Sequence, residues 1–420
     1  MGGGSSGGLW RNADFVRLWS AATVTNFGSM IRRIALPFVA ILVLDATPKD
    51  IAILAAASML PGFVLGLLAS ARIDRLRKRP ILIASDLLRA LLMLTVPLAA
   101  WQGWLRMEHL YVVSLLAGFL SFLFDVAHTS YLPTLVERRE LVAANSRLKA
   151  AEAVTEAGAF ASGGWLVQIL SAPLALLVDS LSFLTSAAIL SRIRTQEPEP
   201  PPTHDSRVLT EVREGLGFVA RSPALRPLAI SSIVAAFSFQ VYSTAYLLFV
   251  NQELGFAPGT LGTIFAVGAA SSFAGALAVA PTSRRLGLGN AMAGGLVLVC
   301  LTMALLPFAP GATLLGVLLL VLHQLGDGAE VVFQVNAVSL LQATTPHRML
   351  GRVNGTFHFS ALGAMLLGTA LGGALGETLG LRATLLVGAV GVGVAAACLG
   401  LSRVGRLRET PALEQTTAAP

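Results

Sequence analysis

Twelve stretches of this chain are each long and apolar enough to cross a lipid bilayer, and nothing else in it constrains the fold as tightly. A spanning helix needs about 20 mostly apolar residues. Such runs read as 18–44, 51–71, 81–101, 110–130, 145–170, 174–191, 226–250, 259–281, 290–309, 313–341, 354–376 and 381–401. Inside hydrocarbon every backbone amide must be satisfied within the segment, so apolar runs of this length fold as helices. Composition agrees. Hydrophobic residues make up 55% of the chain and charged ones 13%, about half the charged share of a soluble domain. The expected class is an all-α membrane protein.

The connections between runs are short, with one exception. Residues 192–225 hold the Pro-rich acidic "TQEPEPPPTHD" and then the amphipathic "RVLTEVREGLGFVARS". That pattern reads as a linker followed by a helix lying on the membrane surface. The halves on either side repeat. Shifted by 209 residues, Arg17 falls on Arg226, Gly66 on Gly275, Arg75 on Arg284, Leu141 on Leu350, Asn145 on Asn354 and Gly163 on Gly372. One offset serving both ends of a half predicts two six-helix bundles of like design, the plan of carriers that work about a midplane site. The expected organisation is a flexible N-terminus over 1–14 (with "MGGGSSGG" as a linker), bundles over 15–191 and 226–403, the cytoplasmic linker over 192–225 and a tail over 404–420.

Cations give the orientation. With the N-terminus inside, 24 of the 30 Lys and Arg fall on the inner side; Lys49, Arg106 and Arg382 lie in outer loops; Arg32, Arg33 and Arg89 lie within helices. Both termini are expected in the cytoplasm, with the chain spanning the inner (cytoplasmic) membrane. The net charge of +7 therefore reports topology and gives no reason to expect nucleic acid. Cys300 and Cys398 sit in separate apolar runs and read as small packed hydrophobes.

Ionisable residues at membrane depth are costly unless they face water or a partner. His323, Asp327, Glu330 and Gln334 are spaced 4, 3, 4, which stacks them on one helix face. Asp327 lies at the middle of its span. A carboxylate alternately bathed and desolvated can take up and release a proton, so Asp327 and Glu330 are expected in proton coupling, joined by Glu152 and Glu156 on one face of the fifth span. Arg32 lies 15 residues past Arg17, about 22 Å of helical rise. Adjacent residues on a helix point about 100° apart, so Arg32 and Arg33 are expected to divide their targets: one toward a central cavity, the other toward Glu156 or Glu152. Substrate contacts are expected from Arg32, Arg33, Asn26, Gln240, Tyr242, Tyr246 and Gln334. Asp86 with Arg89, and Asp125 with His128, share a three-residue spacing and read as a gate network. Asp179 reads as structural.

Several stretches carry a resemblance. "GLLASARIDRLRKRPILIASDLLRALL" is similar to the loop between helices two and three of the major facilitator superfamily, with Asp74 and Arg75 in the expected gating places. Its second-half counterpart, "APTSRRLGLG", has Ser283 where the acid would stand. With "RNADFVRLWSAATVTNFGS", "YLPTLVERRELVAANSRL" and "FQVNAVSLLQATTPHRMLGRVNG", the chain resembles the drug- and siderophore-exporting branch that holds enterobactin exporters and macrolide efflux proteins. The resemblance covers roughly residues 9–403. It implies the major facilitator fold and secondary active export by alternating access, with protons as the counter-ion and a small amphipathic cargo such as a siderophore or drug. Helix five has Ala159 where the antiporters of that superfamily often carry Pro. A lysolipid or other solute carrier of the same fold, or a non-transporting membrane sensor, are the alternatives. The implied partners are a small molecule, protons and the bilayer, with the chain a monomer. No P-loop, GxSxG or HExxH occurs, so neither an enzyme nor a cofactor or metal is expected.

Overall fold

The computed structural model describes residues 8–68, 76–195, 197 and 208–409, and these contain helices and turns but no strand. Among the described residues, fourteen α-helices follow in order: α1 (Gly8–Arg11), α2 (Ala13–Leu44), α3 (Pro48–Leu68), α4 (Lys78–Trp101), α5 (Met107–Leu135), α6 (Leu141–Leu170), α7 (Ala172–Leu190), α8 (Val208–Arg221), α9 (Leu225–Leu248), α10 (Pro258–Leu286), α11 (Leu288–Leu305), α12 (Leu314–Thr344), α13 (Leu350–Thr378) and α14 (Leu381–Gly400). Eleven of these described helices are long and apolar enough to cross a membrane. The twelfth expected span is α6. It runs 30 residues, but Glu152, Glu156 and Gln168 interrupt its apolar sequence and it falls short of that standard. The expected gate residues Asp74 and Arg75 lie outside the described residues.

The helices divide into two compact units. One comprises residues 1–206 with 257–266, the other 207–256 with 267–420. In the first unit α2 packs along α7 and α6, α4 packs between α5 and α7, and α3 packs on α5. In the second, α9 packs against α13 and α14, and α11 against α12 and α14. Helices α10 and α12 close on each other through Ser271, whose hydroxyl donates to Leu325 O at 2.9 Å and accepts Gly328 N–H at 3.1 Å.

Residues 8–14 depart from the expected flexible terminus. Trp10 in α1 meets Trp19 edge-on at 5.2 Å. Asn12 caps α2, its Oδ1 accepting the amides of Asp14 and Phe15 at 3.1 Å while its Nδ2 donates to Leu135 O at 2.7 Å. An Asn at this position satisfies two of the orphan donors that begin a helix. The start of the linker is also pinned. Asp14 Oδ2 accepts the Thr195 hydroxyl at 2.6 Å and its amide at 2.9 Å, and Glu197 accepts the Arg79 amide at 2.7 Å at the start of α4. The amphipathic α8, expected on the membrane surface, lies against α13, where Arg352 pairs with Glu214 at 2.7 Å.

Candidate functional site

Two groups of ionisable side chains lie within the spans, one in each unit. In the first unit the answer to the paired arginines is asymmetric. Arg32 Nε stands 3.1 Å from Asp179 Oδ2, and the Asp179 side chain is wholly buried. Arg33 is exposed and forms no ion pair with a described residue. This corrects the expectation that one arginine reaches Glu156 or Glu152. Glu152 is instead held by Lys149, a turn earlier, at 2.5 Å, and Glu156 is half-buried without an ion-pair partner among the described residues. The reason is helix adjacency: α2 lies along α7 as well as α6, and Gly28, one turn before Arg32, brings α7 close. A Cβ on Gly28 would sit 1.9 Å from Ser182 Oγ and 2.8 Å from Asp179 Oδ1, so any side chain there would push the carboxylate out of reach. Asn26 faces α6 and donates to Thr155 Oγ1 at 2.9 Å.

A second pair lies beside the first. Arg89 bonds the Asp86 carboxylate within α4, and both side chains are buried. Its guanidinium sits between the rings of Phe124 and Phe183, 4.4 and 4.3 Å from their centroids, and Nη1 donates to Ser121 Oγ at 3.3 Å. Aromatic faces on both sides hold a desolvated cation by electrostatic attraction. Two guanidinium groups and two carboxylates thus balance in the interior. Asp125 and His128, expected in the same gate network, part company: Asp125 is exposed, whereas His128 stacks on Phe124 at 5.9 Å.

The second unit is arranged differently. On α12, Glu330 Oε1 accepts from Gln334 Nε2 at 2.7 Å, and Asp327 and Glu330 are half-buried. Neither forms an ion pair with a described residue. Asp327 is seated against α10 because Gly268 has no side chain: a Cβ there would lie 2.4 Å from Asp327 Oδ2 and 2.6 Å from Gln324 Nε2. One turn before Asp327, His323 lies against both Tyr242 and Tyr246 of α9, with ring centroids 5.3 and 5.2 Å away. The two tyrosines stack on each other at 6.0 Å, and Tyr242 donates to Met303 O at 3.4 Å. Both are buried, so they pack the interior of this unit. Gln240 is half-buried and Gln334 exposed. The structure thus joins His323 to the tyrosines and Glu330 to Gln334. Sequence spacing did not reveal Gly268; a glycine gives no signal of what approaches it.

Residues 7–419 match the family described as transmembrane secretion effector. The multidrug efflux pump Tap of Mycolicibacterium fortuitum is 29% identical over 384 residues, 87% of this chain and 90% of that protein. The uncharacterized MFS-type transporter YfiS of Bacillus subtilis (strain 168) is 26% identical over 392 residues, 90% of this chain and 91% of that one. Among solved structures, a point mutant of the nucleoside transporter NupG aligns with a TM-score of 0.78 at 13% identity, covering 92% of this chain and 99% of that one. A bacterial homologue of the iron transporter ferroportin, in its inward-facing state, aligns at 0.74 and 18% identity, covering 92% and 97%. These structural likenesses establish the fold.

Proposed function

This chain belongs to the transmembrane secretion effector family of major facilitator transporters, and from that premise we propose that it is a proton-driven exporter of small amphipathic molecules, working by alternating access. The chain sits in the inner membrane with both termini cytoplasmic, as its cation distribution supports. The observation that carries the coupling is the acid pair on α12. Asp327 and Glu330 lie one turn apart at mid-span, and no Lys or Arg occurs between Arg285 and Arg348. A carboxylate without a cation partner in a low-dielectric span is costly to keep ionised, so a change of water access moves a proton on or off it. Arg32 is different: its charge is already matched by Asp179. With one arginine neutralised, the support for an anionic siderophore shrinks to Arg33. We therefore read the cargo as a neutral or cationic amphipathic drug-like molecule, in keeping with relatives named multidrug efflux pumps.

The test is efflux of a fluorescent organic cation such as ethidium from proteoliposomes under an imposed pH gradient. D327N and E330Q together should abolish pH-driven efflux while leaving the thermal unfolding temperature within a few degrees of the parent. Undiminished pH-driven efflux by the double variant refutes the coupling role.

A further inference from the structure

A polar cavity of about 790 Å³ opens at the basic end of the second unit, lined by Arg284 and Arg285 at the end of α10, Asn290 at the start of α11, Ser339 on α12, and Arg408 with Glu409 after α14. It lies apart from the α12 acids and has no part in the coupling scheme. Three cations share it with one carboxylate. None of the three arginines forms an ion pair with a described residue, and all are exposed. Backbone bonds fix the arrangement. The amides of Leu288 and Gly289 donate to Arg408 O and Leu407 O at 3.1 and 2.9 Å, which holds the chain after α14 against the turn before α11 and sets Arg408 opposite Arg284 and Arg285. Those bonds also occupy the first free amides of α11, so the cavity's affinity for anions comes from guanidinium groups.

The internal repeat explains the unbalanced charge. At the offset of 209, Arg284 corresponds to Arg75 and Ser283 to Asp74. The acid of the first-half loop is a serine here, and its hydroxyl donates to Asn336 Oδ1 at 3.0 Å. Where the first-half sequence sets an acid beside its arginine, the second half sets a serine, so the arginines around Ser283 lack that counter-ion.

What distinguishes the occupant is the helix above. Residues 290, 294, 297, 301 and 305 fall on one face of α11. From Asn290 in the cavity, that face runs past Gly294, beside which there is open space, to Val297, Leu301 and Leu305, which are 47%, 56% and 42% exposed. An anion seat at the basic end thus continues into an apolar track along the outside of a membrane helix. Guanidinium forks match phosphate oxygens, and basic pockets at the cytoplasmic side of membrane helices suit anionic headgroups. We infer that this cavity binds the headgroup of an anionic phospholipid of the cytoplasmic leaflet, with its acyl chain laid along α11. A soluble phosphate shares the headgroup chemistry and makes no use of the track.

The experiment measures lipid binding to the purified full chain by native mass spectrometry, titrating phosphatidylglycerol, phosphatidylcholine and glycerol 3-phosphate. Phosphatidylglycerol should bind at least tenfold more tightly than the other two. R284Q/R285Q/R408Q should lose that advantage, whereas R403Q/R406Q, which alters arginines outside the cavity, should keep it. G294W, which blocks the track and leaves every arginine in place, should weaken phosphatidylglycerol without changing glycerol 3-phosphate. S283D restores the acid and should weaken phosphatidylglycerol too; it serves in place of the triple variant if that one does not fold. Equal affinity for glycerol 3-phosphate and phosphatidylglycerol, indifference of lipid binding to G294W or to loss of the three arginines, or an equal loss in R403Q/R406Q each overturns the inference.

Discussion

The two units follow one helix plan at one sequence offset, yet they distribute charge in opposite ways. In the first, Arg32 meets Asp179 and Arg89 meets Asp86, so each of these two arginines has a carboxylate. In the second, Asp327 and Glu330 form no ion pair with a described residue. The repeat makes the exchange explicit: the positions matching Arg32, Asp86, Arg89 and Asp179 are Val241, Gly295, Leu298 and Gly388, while those matching Asp327 and Glu330 are Gly118 and Ser121. Ser121 is the residue whose hydroxyl accepts from Arg89. One position therefore supports an ion pair in one half and holds an acid in the other. A matched pair is stable against changes of access, because moving a proton would strand its partner. An unmatched acid responds to them. On the proposed mechanism, the first unit holds its charges while the second titrates.

Stability measurements can break this contrast. The largest effect should come from D179N, which leaves the Arg32 guanidinium buried without its counter-ion. Removing one member of a buried pair costs about 3–5 kcal/mol, so thermal unfolding in detergent should show a marked loss, partly restored in R32Q/D179N. D327N should show no comparable loss, since Asp327 forms no ion pair with a described residue. Next comes G28L. Its side chain would overlap Ser182 and Asp179 and force α2 and α7 apart, and overpacking of this kind costs about 1–3 kcal/mol. F124A removes one face of the Arg89 sandwich, worth about 1–2 kcal/mol for a desolvated cation, and should lower stability without touching pH-driven efflux. G268A should do the reverse. The nearest neighbours of the new methyl are the side-chain ends of Asp327 and Gln324, so the fold should survive while the carboxylate is displaced and the pH dependence of efflux shifts. Smallest of all is R33Q, whose exposed side chain has no ion pair with a described residue; unfolding should move by less than about 0.5 kcal/mol.

Most of the fold was legible in the sequence because spanning helices announce themselves by length and apolarity. The 209-residue offset, read from a few glycines, arginines and asparagines, foretold two bundles of like design. Polar positions were legible as well, since Arg32, Asp179 and Asp327 stand out against their neighbours. Their partners were not. Spacing along one helix fixes a face but says nothing of which helix lies opposite, so Glu152 and Glu156 looked as available to Arg32 as Asp179. The deciding feature was Gly28, whose missing side chain lets α7 approach. For helix α8 an amphipathic face fits a membrane surface and a neighbouring helix equally well, and spacing along the helix named neither α13 nor Arg352 as the partner of Glu214.

Proton release on substrate addition, measured with unbuffered purified protein in detergent and a pH indicator, bears most directly on the division between the units. The parent should release protons when ethidium binds, D327N/E330Q should release none, and R32Q/D179N, in any preparation that remains folded, should release as the parent does. Release that persists in D327N/E330Q, or that disappears in folded R32Q/D179N, would place the titrating groups in the first unit and contradict the account.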